Sequence, residues 1–333
     1  MKAFLEIHNL AIEFGSPEKP LRAVDGVSVR VENGETLCLV GESGCGKSLT
    51  ALSVARLVPT PPARYVSGQI LLDGRNVMTL APRELRSIRG GVVSYVFQEP
   101  GASLNPVFRV GNQIMESLKL HRPDAATKEE VIRLLKLVGI PAPESRVSDY
   151  PHQMSGGMQQ RIMIAMALAS QPRLLVADEP TTALDVTIQA QIMELLLDLK
   201  QRFGMSILLI THNLGLVGDI ADRVAVMYAG QVVETASAGA LLSRPLHPYT
   251  RCLLNSVPKL GREADRLTVI PGSVPAPGHM PSGCRFHPRC PIAKPDCAQK
   301  LPDLLEVEPG RFVRCPYCLT NSFPASHSSR PPP

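Results

Sequence analysis

No uninterrupted apolar stretch in these 333 residues approaches the roughly 18 positions that a membrane-crossing helix needs. The richest run, 162–169, falls well short, so no bilayer span is expected. A leader pattern is missing as well, because Glu6 and His8 break the apolar start too early for a signal peptide. Both absences point to a cytoplasmic, reducing location. A concentrated basic patch is also lacking: the net charge is +5, but lysines and arginines are scattered among acids, which reads as solvated surface and predicts no nucleic-acid partner. The remainder, 44% apolar and 20% charged, suits a folded α/β domain with something smaller attached.

The chain is organised around residues 41–48, Gly-Glu-Ser-Gly-Cys-Gly-Lys-Ser. An apolar strand at 37–40 precedes them and a helix over about 47–57 follows. Gly41, Gly44 and Gly46 allow a tight turn whose backbone N–H groups face outward with no Cβ in the way, while Glu42, Ser43 and Cys45 fill the intervening positions. That is a cradle for polyphosphate. Lys47 supplies a point charge for the β- and γ-phosphates, and the Ser48 hydroxyl suits Mg²⁺.

Residues 1–36 alternate apolar and polar positions, as antiparallel strands half covered by a core do. Phe14, at the end of the first strand, reads either as an adenine-stacking ring or as an inward core residue. Residues 67–74 read as a further edge hairpin. The apolar run 92–97 ends at Gln98, after which strand signals vanish until about 170. Thr127-Lys128-Glu129-Glu130 opens a helix there, which predicts a helical insertion over about 99–170. Near its exit, Ser155-Gly156-Gly157-Met158 repeats the logic of the first loop: an N-cap and two glycines at a helix start, a second anion site.

The fully apolar strand 174–177 ends in Asp178-Glu179. Strands of this kind are buried on both faces of a parallel sheet, and ligands collect at their carboxyl ends. Two adjacent carboxylates there need a cation or a catalytic use. Asp178 suits Mg²⁺, and Glu179 suits a general base for attacking water. A long amphipathic helix over 186–203 leads to the strand 206–211, which ends at His212, on the same sheet edge as Glu179 and within reach of a γ-phosphate.

Beyond Thr250 the chain turns proline-rich, and five of its eight cysteines crowd into 284–318. In a reducing compartment such crowding suggests a metal more than disulfides. Cys284, Cys290, Cys297 and Cys315 provide four thiolates for zinc or an iron–sulfur cluster, with Cys318 close behind. The gaps of five and six residues are wider than common zinc-ribbon spacing. Residues 320–333, rich in serine and proline, read as a disordered tail.

Taken together, residues 1–260 resemble the ATP-binding subunit of ABC transporters: the phosphate loop at 41–48, Gln98, the signature at 155–159, the acidic strand at 174–179, Ala183-Leu184-Asp185, and His212. The resemblance implies an α/β fold, a P-loop NTPase core of the ABC type with an N-terminal antiparallel β subdomain, the inserted helical subdomain and a small cysteine-containing extension over 261–319. It implies Leu49 and Asp185 as further nucleotide contacts, and Gln98 as both a catalytic group and a Mg²⁺ ligand. It also implies two ATPase chains closing head to tail, each ATP held between the phosphate loop of one and the signature of the other.

A finer resemblance is to dipeptide/oligopeptide importers, carried by Phe97-Gln98-Glu99-Pro100, Ser103-Leu104-Asn105-Pro106, Tyr150-Pro151-His152-Gln153 and His247-Pro248-Tyr249-Thr250. Gly157-Met158 and 178–185 look like the first of the two ATPase subunits of such importers, although Met154 and Gln159 stand where Leu and Arg are usual. This branch implies a heterodimer with a second ATPase, two membrane permeases, indirectly a solute-binding protein, and a peripheral place on the cytoplasmic face of the inner membrane. Residues 283–291 resemble the branch's C-terminal extension, whose cysteines are associated with a 4Fe–4S cluster; zinc is the alternative. The competing function, a soluble ABC-type ATPase acting on nucleic acid or ribosomes, usually has two cassettes per chain or long coiled-coil insertions. This chain has one cassette and a short insertion.

Overall fold

The computed structural model describes residues 3–182, 184–256 and 270–319. Ala183, the boundary expected at 260/261 and the tail expected at 320–333 lie outside them. Strands β1 (Ala3–Phe14) and β2 (Leu21–Glu32) form an antiparallel pair; β2 alternates in burial over Val27–Val31, whereas β1, shifted in register along the pair, buries Phe4-Leu5 and Leu10–Glu13 in runs and not in alternation. β3 (Thr36–Val40) runs into the phosphate loop and helix α1 (Lys47–Ser53). The chain then returns to the first sheet as β4 (Arg64–Leu72) and β5 (Arg75–Asn76), giving the order β2-β1-β4-β5.

After α2 (Pro82–Ile88) and β6 (Val93–Val96) comes the expected helical insertion: α3 (Pro100–Ser103), α4 (Val110–His121), α5 (Lys128–Leu137), α6 (Pro143–Arg146) and α7 (Gly156–Leu168). Thr127 caps α5 by accepting from the Glu130 N–H at 3.2 Å. The carboxylate of Glu130 turns instead to Arg122 and Arg133.

β7 (Leu174–Asp178), α8 (Val186–Phe203) and β8 (Ser206–Thr211) complete the parallel core, and α9 (Val217–Ile220) leads into β9 (Arg223–Tyr228). β10 (Gln231–Ser237), α10 (Ala238–Ser243) and α11 (Pro248–Asn255) follow, then β11 (Leu305–Glu308) and β12 (Arg311–Val313). The second sheet has the order β11-β12-β10-β9-β3-β8-β7-β6, with β6, β7, β8, β3 and β9 parallel.

Because strand side chains alternate between faces, each apolar core strand divides its residues between two cores. Leu37, Leu39, Leu174, Val176, Leu208 and Ile210 pack with the antiparallel sheet. Cys38, Val40, Leu175, Ala177, Ile207 and Leu209 pack with the helical insertion and α8. Burial on both faces explains why these strands read as continuous apolar runs.

The proline-rich extension is not a separate appendage, as its sequence suggests. Its last hairpin joins the core sheet, with β12 antiparallel to β10 through the pairs Glu234–Val313 and Thr235–Phe312. A buried ion pair locks the junction: Arg311 Nη2 lies 3.1 Å from Glu234 Oε1, with side chains 4% and 0% exposed. Glu234 also accepts the Leu246 and His247 N–H groups at 2.9 and 2.8 Å, so both of its oxygens are occupied. Total burial pushes the His247 imidazole down to about 3, and the neutral ring accepts the Tyr249 N–H through Nδ1.

Candidate functional site

The phosphate loop is shaped by close backbone approach. A Cβ on Gly41 would stand 2.2 Å from the Met227 carbonyl oxygen, and one on Gly46 would stand 3.0 Å from that of Ala23. Gly44 and Gly46 hold φ of 78° and 99°, where side chains are strained. Lys47 lies folded along the loop, its Nζ donating to the Gly41 and Glu42 carbonyls at 2.8 and 3.0 Å. Ser43 is exposed, whereas Cys45 is fully buried and its thiol is pushed up by that burial. Leu49 and Phe14, both partly buried, pack against the core beneath the antiparallel sheet.

β3 and β7 flank β8 and end at the same edge of the sheet, which brings Ser48 to Asp178 although they are 130 residues apart. The Ser48 hydroxyl donates to Asp178 Oδ1 at 3.1 Å. Burial raises the Asp178 carboxyl above its ordinary value, the Ser48 hydrogen bond opposes that, and the neighbouring Glu179 charge adds to it. A hard divalent cation beside Ser48 and Asp178 would relieve both burdens, and two oxygen donors are the chemistry Mg²⁺ takes.

Glu179 occupies the left-handed backbone region, φ 47°, which a non-glycine residue rarely adopts. Its N–H donates to the Ile210 carbonyl at 2.9 Å, tying the turn to β8. Three side chains from three separate loops then converge on its Oε2: Thr182 Oγ1 at 2.8 Å, Gln98 Nε2 at 3.2 Å and His212 Nδ1 at 3.2 Å. The Glu179 side chain is only 12% exposed, so these contacts, more than water, fix its orientation. Gln98 is brought to this carboxylate through its amide nitrogen. Thr182 lies within the run 178–185, and no spacing pattern in the sequence distinguishes it from Thr181.

The second glycine turn starts α7 as expected, with Ser155 Oγ accepting the Met158 N–H at 3.3 Å. Ser155 and Gly156 are exposed, and Met158 packs partly against the core. A Cβ on Gly157 would stand 3.0 Å from Ile188 Cγ2, and one on Gly156 would stand 3.7 Å from Leu184 Cδ2. The signature turn therefore rests on the segment carrying Asp185, which caps α8 by accepting the Ile188 N–H at 3.0 Å.

Cys284, Cys290, Cys297 and Cys315 line one small cavity together with His247, Phe286 and Tyr317. Burial raises the Cys284 thiol, and pushes those of Cys290 and Cys315 up to about 12; neighbouring cysteines add to each shift. Cys318 does not line this cavity; it is buried with Leu246 and Val313 in a satellite core against which Cys315 also packs. Among the described residues no three His, Cys, Asp or Glu side chains stand grouped as a ready ligand set, so the four thiols surround the cavity without closing on a common point.

Comparison with known proteins agrees with this geometry. A family model described as "ABC transporter" matches residues 24–182, and one described as "Oligopeptide/dipeptide transporter, C-terminal region" matches residues 233–297. The oligopeptide transport ATP-binding protein AppD of Bacillus subtilis (strain 168) is 50% identical over 317 residues, 95% of this chain and 97% of that protein. The dipeptide transport ATP-binding protein DppD of Escherichia coli (strain K12) is 46% identical over 322 residues, 96% and 98% of the two chains. The dimeric, post-hydrolysis ATP-binding cassette MJ0796 bound to ADP and Pi superposes with a TM-score of 0.62 at 26% identity, covering 70% of this chain and 98% of that one.

Proposed function

The chain belongs to the ABC transporter family, among the ATP-binding subunits of its oligopeptide and dipeptide branch, and we propose that it drives an importer for dipeptides or oligopeptides. It is an ATPase and works with membrane permeases. The observation that carries the catalytic reading is the convergence of Gln98, Thr182 and His212 on one oxygen of Glu179, next to the Ser48–Asp178 pair and the phosphate loop. The soluble, nucleic-acid or ribosome-directed alternative is not favoured, since relatives matching nearly the whole chain are named for peptide transport.

In this reading the N–H groups of 41–48 and the Lys47 ammonium take the β- and γ-phosphates, with Lys47 exchanging its carbonyl contacts for phosphate oxygens. Ser48 and Asp178, assisted by Gln98, would hold Mg²⁺, which neutralises charge between the β- and γ-phosphates when bound. Glu179 orients the attacking water and accepts its proton. Thr182, Gln98 and His212 hold that carboxylate by its other oxygen, leaving Oε1 for the water. His212, 55% exposed, also presents its ring toward the γ-phosphate.

The exposed Ser155–Gly156 turn is a second anion site with no use at the same triphosphate, which supports head-to-tail closure on another ATPase chain. This chain is the first of two different ATPase subunits, and its helical insertion, with Val107 and Phe108 72% and 52% exposed, meets the permease. No helix among the described residues is long and apolar enough to cross a membrane. Attachment through the permeases, at the cytoplasmic face of the inner membrane, is the arrangement this supports.

At the extension, four thiols around one cavity are the donor set that a 4Fe–4S cluster takes, with zinc as the alternative. Cys284, Cys290, Cys297 and Cys315 would hold the group, which when bound would cross-link a proline-rich segment with little regular structure of its own. Co-expression with permeases, a binding protein and a second ATPase of this importer branch, followed by reconstitution, tests the reading. ATP-dependent uptake of labelled dipeptide supports it; a complex that hydrolyses no ATP and imports no peptide overturns it.

A further inference from the structure

Arg289 reaches from the cysteine-bearing extension back to the phosphate loop, 247 residues earlier, and meets the Glu42 carboxylate fork to fork. Nη1 lies 3.0 Å from Oε1 and Nη2 lies 3.0 Å from Oε2. The Arg289 side chain is 7% exposed and that of Glu42 is 28% exposed, so the pair is substantially shielded from water. Nε donates to the Pro271 carbonyl at 2.8 Å, and Nη1 also reaches the Tyr228 hydroxyl at 3.3 Å. A guanidinium occupied on this many sides has little rotational freedom, and it passes that rigidity to its partner.

Glu42 is held at its backbone as well, its N–H donating to the Tyr249 hydroxyl at 2.9 Å. The rings of Tyr228, Tyr249 and Phe286 pack with centroids 4.7 to 5.3 Å apart, joining strand, helix and extension behind the loop. The Glu42 carbonyl is one of the two that Lys47 Nζ contacts. A second strap runs parallel to the first. Arg285 donates to the Ala229 carbonyl and pairs with Asp25, and the adjoining Gly230 N–H donates to the Cys45 carbonyl at 2.9 Å. Arg285 directly follows Cys284 and Arg289 directly precedes Cys290, so each strap starts beside a cysteine of the cavity.

We propose that Arg289 is a positioning residue for the ATPase reaction: through Glu42 the C-terminal extension holds the phosphate loop and sets its affinity for nucleotide. The inference rests on the ATPase reading and is independent of what the cysteines bind. Two physical effects act in one direction. The fork keeps the loop in its phosphate-ready shape, and the guanidinium cancels a carboxylate that would otherwise repel the incoming triphosphate.

The test is a double-mutant cycle on the full-length chain, with Kd for ATP read by calorimetry, KM and kcat from steady-state hydrolysis, and thermal stability recorded alongside. R289A raises Kd and KM roughly tenfold with kcat at saturating ATP near the wild-type value. R289K, keeping the charge but losing the fork, falls between. In an E42Q background the R289A effect shrinks to within about threefold, because the carboxylate it neutralises is gone. Should R289A fail to fold, R289K against E42Q carries the comparison. Arg289 variants that melt earlier but keep wild-type Kd and KM would reduce the residue to a structural strut and overturn the proposal. A wild-type chain that binds no ATP would overturn the ATPase reading, and this inference with it.

Discussion

His212 Nδ1 lies 3.2 Å from Glu179 Oε2, joining the ends of two neighbouring parallel strands through one oxygen of a carboxylate that is 12% exposed. Thr182 and Gln98 share the same oxygen. In the proposed reading this leaves the other oxygen for the attacking water, so that the variants below test orientation of the base apart from nucleotide binding.

Glu179→Gln preserves shape and removes the basic oxygen. Kd for ATP stays at the wild-type value while kcat falls by about a hundredfold or more. Near-normal turnover in this variant would take Glu179 out of the base role.

Thr182→Ala removes the shortest of the three contacts on Glu179. The expected result is a kcat about tenfold lower with KM unchanged, since the carboxylate loses orientation and no phosphate contact is touched. Steady-state kinetics at several ATP concentrations distinguish this from a binding defect.

Glu234→Gln removes the fully buried counter-charge of Arg311 at the junction between extension and core sheet, leaving it only the more exposed Glu308 carboxylate at 3.4 Å. Breaking such a pair from one side costs about 3–5 kcal/mol, measurable as a lower urea midpoint. Replacing both residues with apolar ones of similar volume should cost less, because no charge is then stranded.

Cys290→Ser should abolish the visible absorbance of a brown, anaerobically purified protein, whereas Cys318→Ser should retain it, because Cys318 does not line the cavity although it shares a satellite core with Cys315. Colourless wild-type protein carrying stoichiometric zinc would assign the site to zinc. Colourless protein without bound metal would remove the metal centre altogether.

Much of the core is legible in the sequence because its signals are local. The apolar runs at 174–177 and 206–211, the glycines of 41–46 and the capping residues Thr127 and Ser155 each act through their neighbours, and their strands, turns and helices form where expected. The extension was harder to read. Its prolines argue against regular structure, yet three residues at Arg311–Val313 suffice for a strand once β10 offers an open edge and Glu234 a buried counter-charge.

The sequence by itself determined the order of the chemical groups: a phosphate cradle, a glutamine, a glycine-led helix, paired carboxylates, a histidine and four cysteines, each announced by residue type and short-range spacing. Only the tertiary structure decided that Thr182 joins Gln98 and His212 on Glu179, that Cys318 lies outside the cavity the other four thiols line, and that Arg289 grips Glu42. Contacts such as Gln98–Glu179 and Arg289–Glu42, 81 and 247 residues apart, depend on which strands lie side by side and on where a guanidinium can be desolvated and paired, and neither is written in any local pattern.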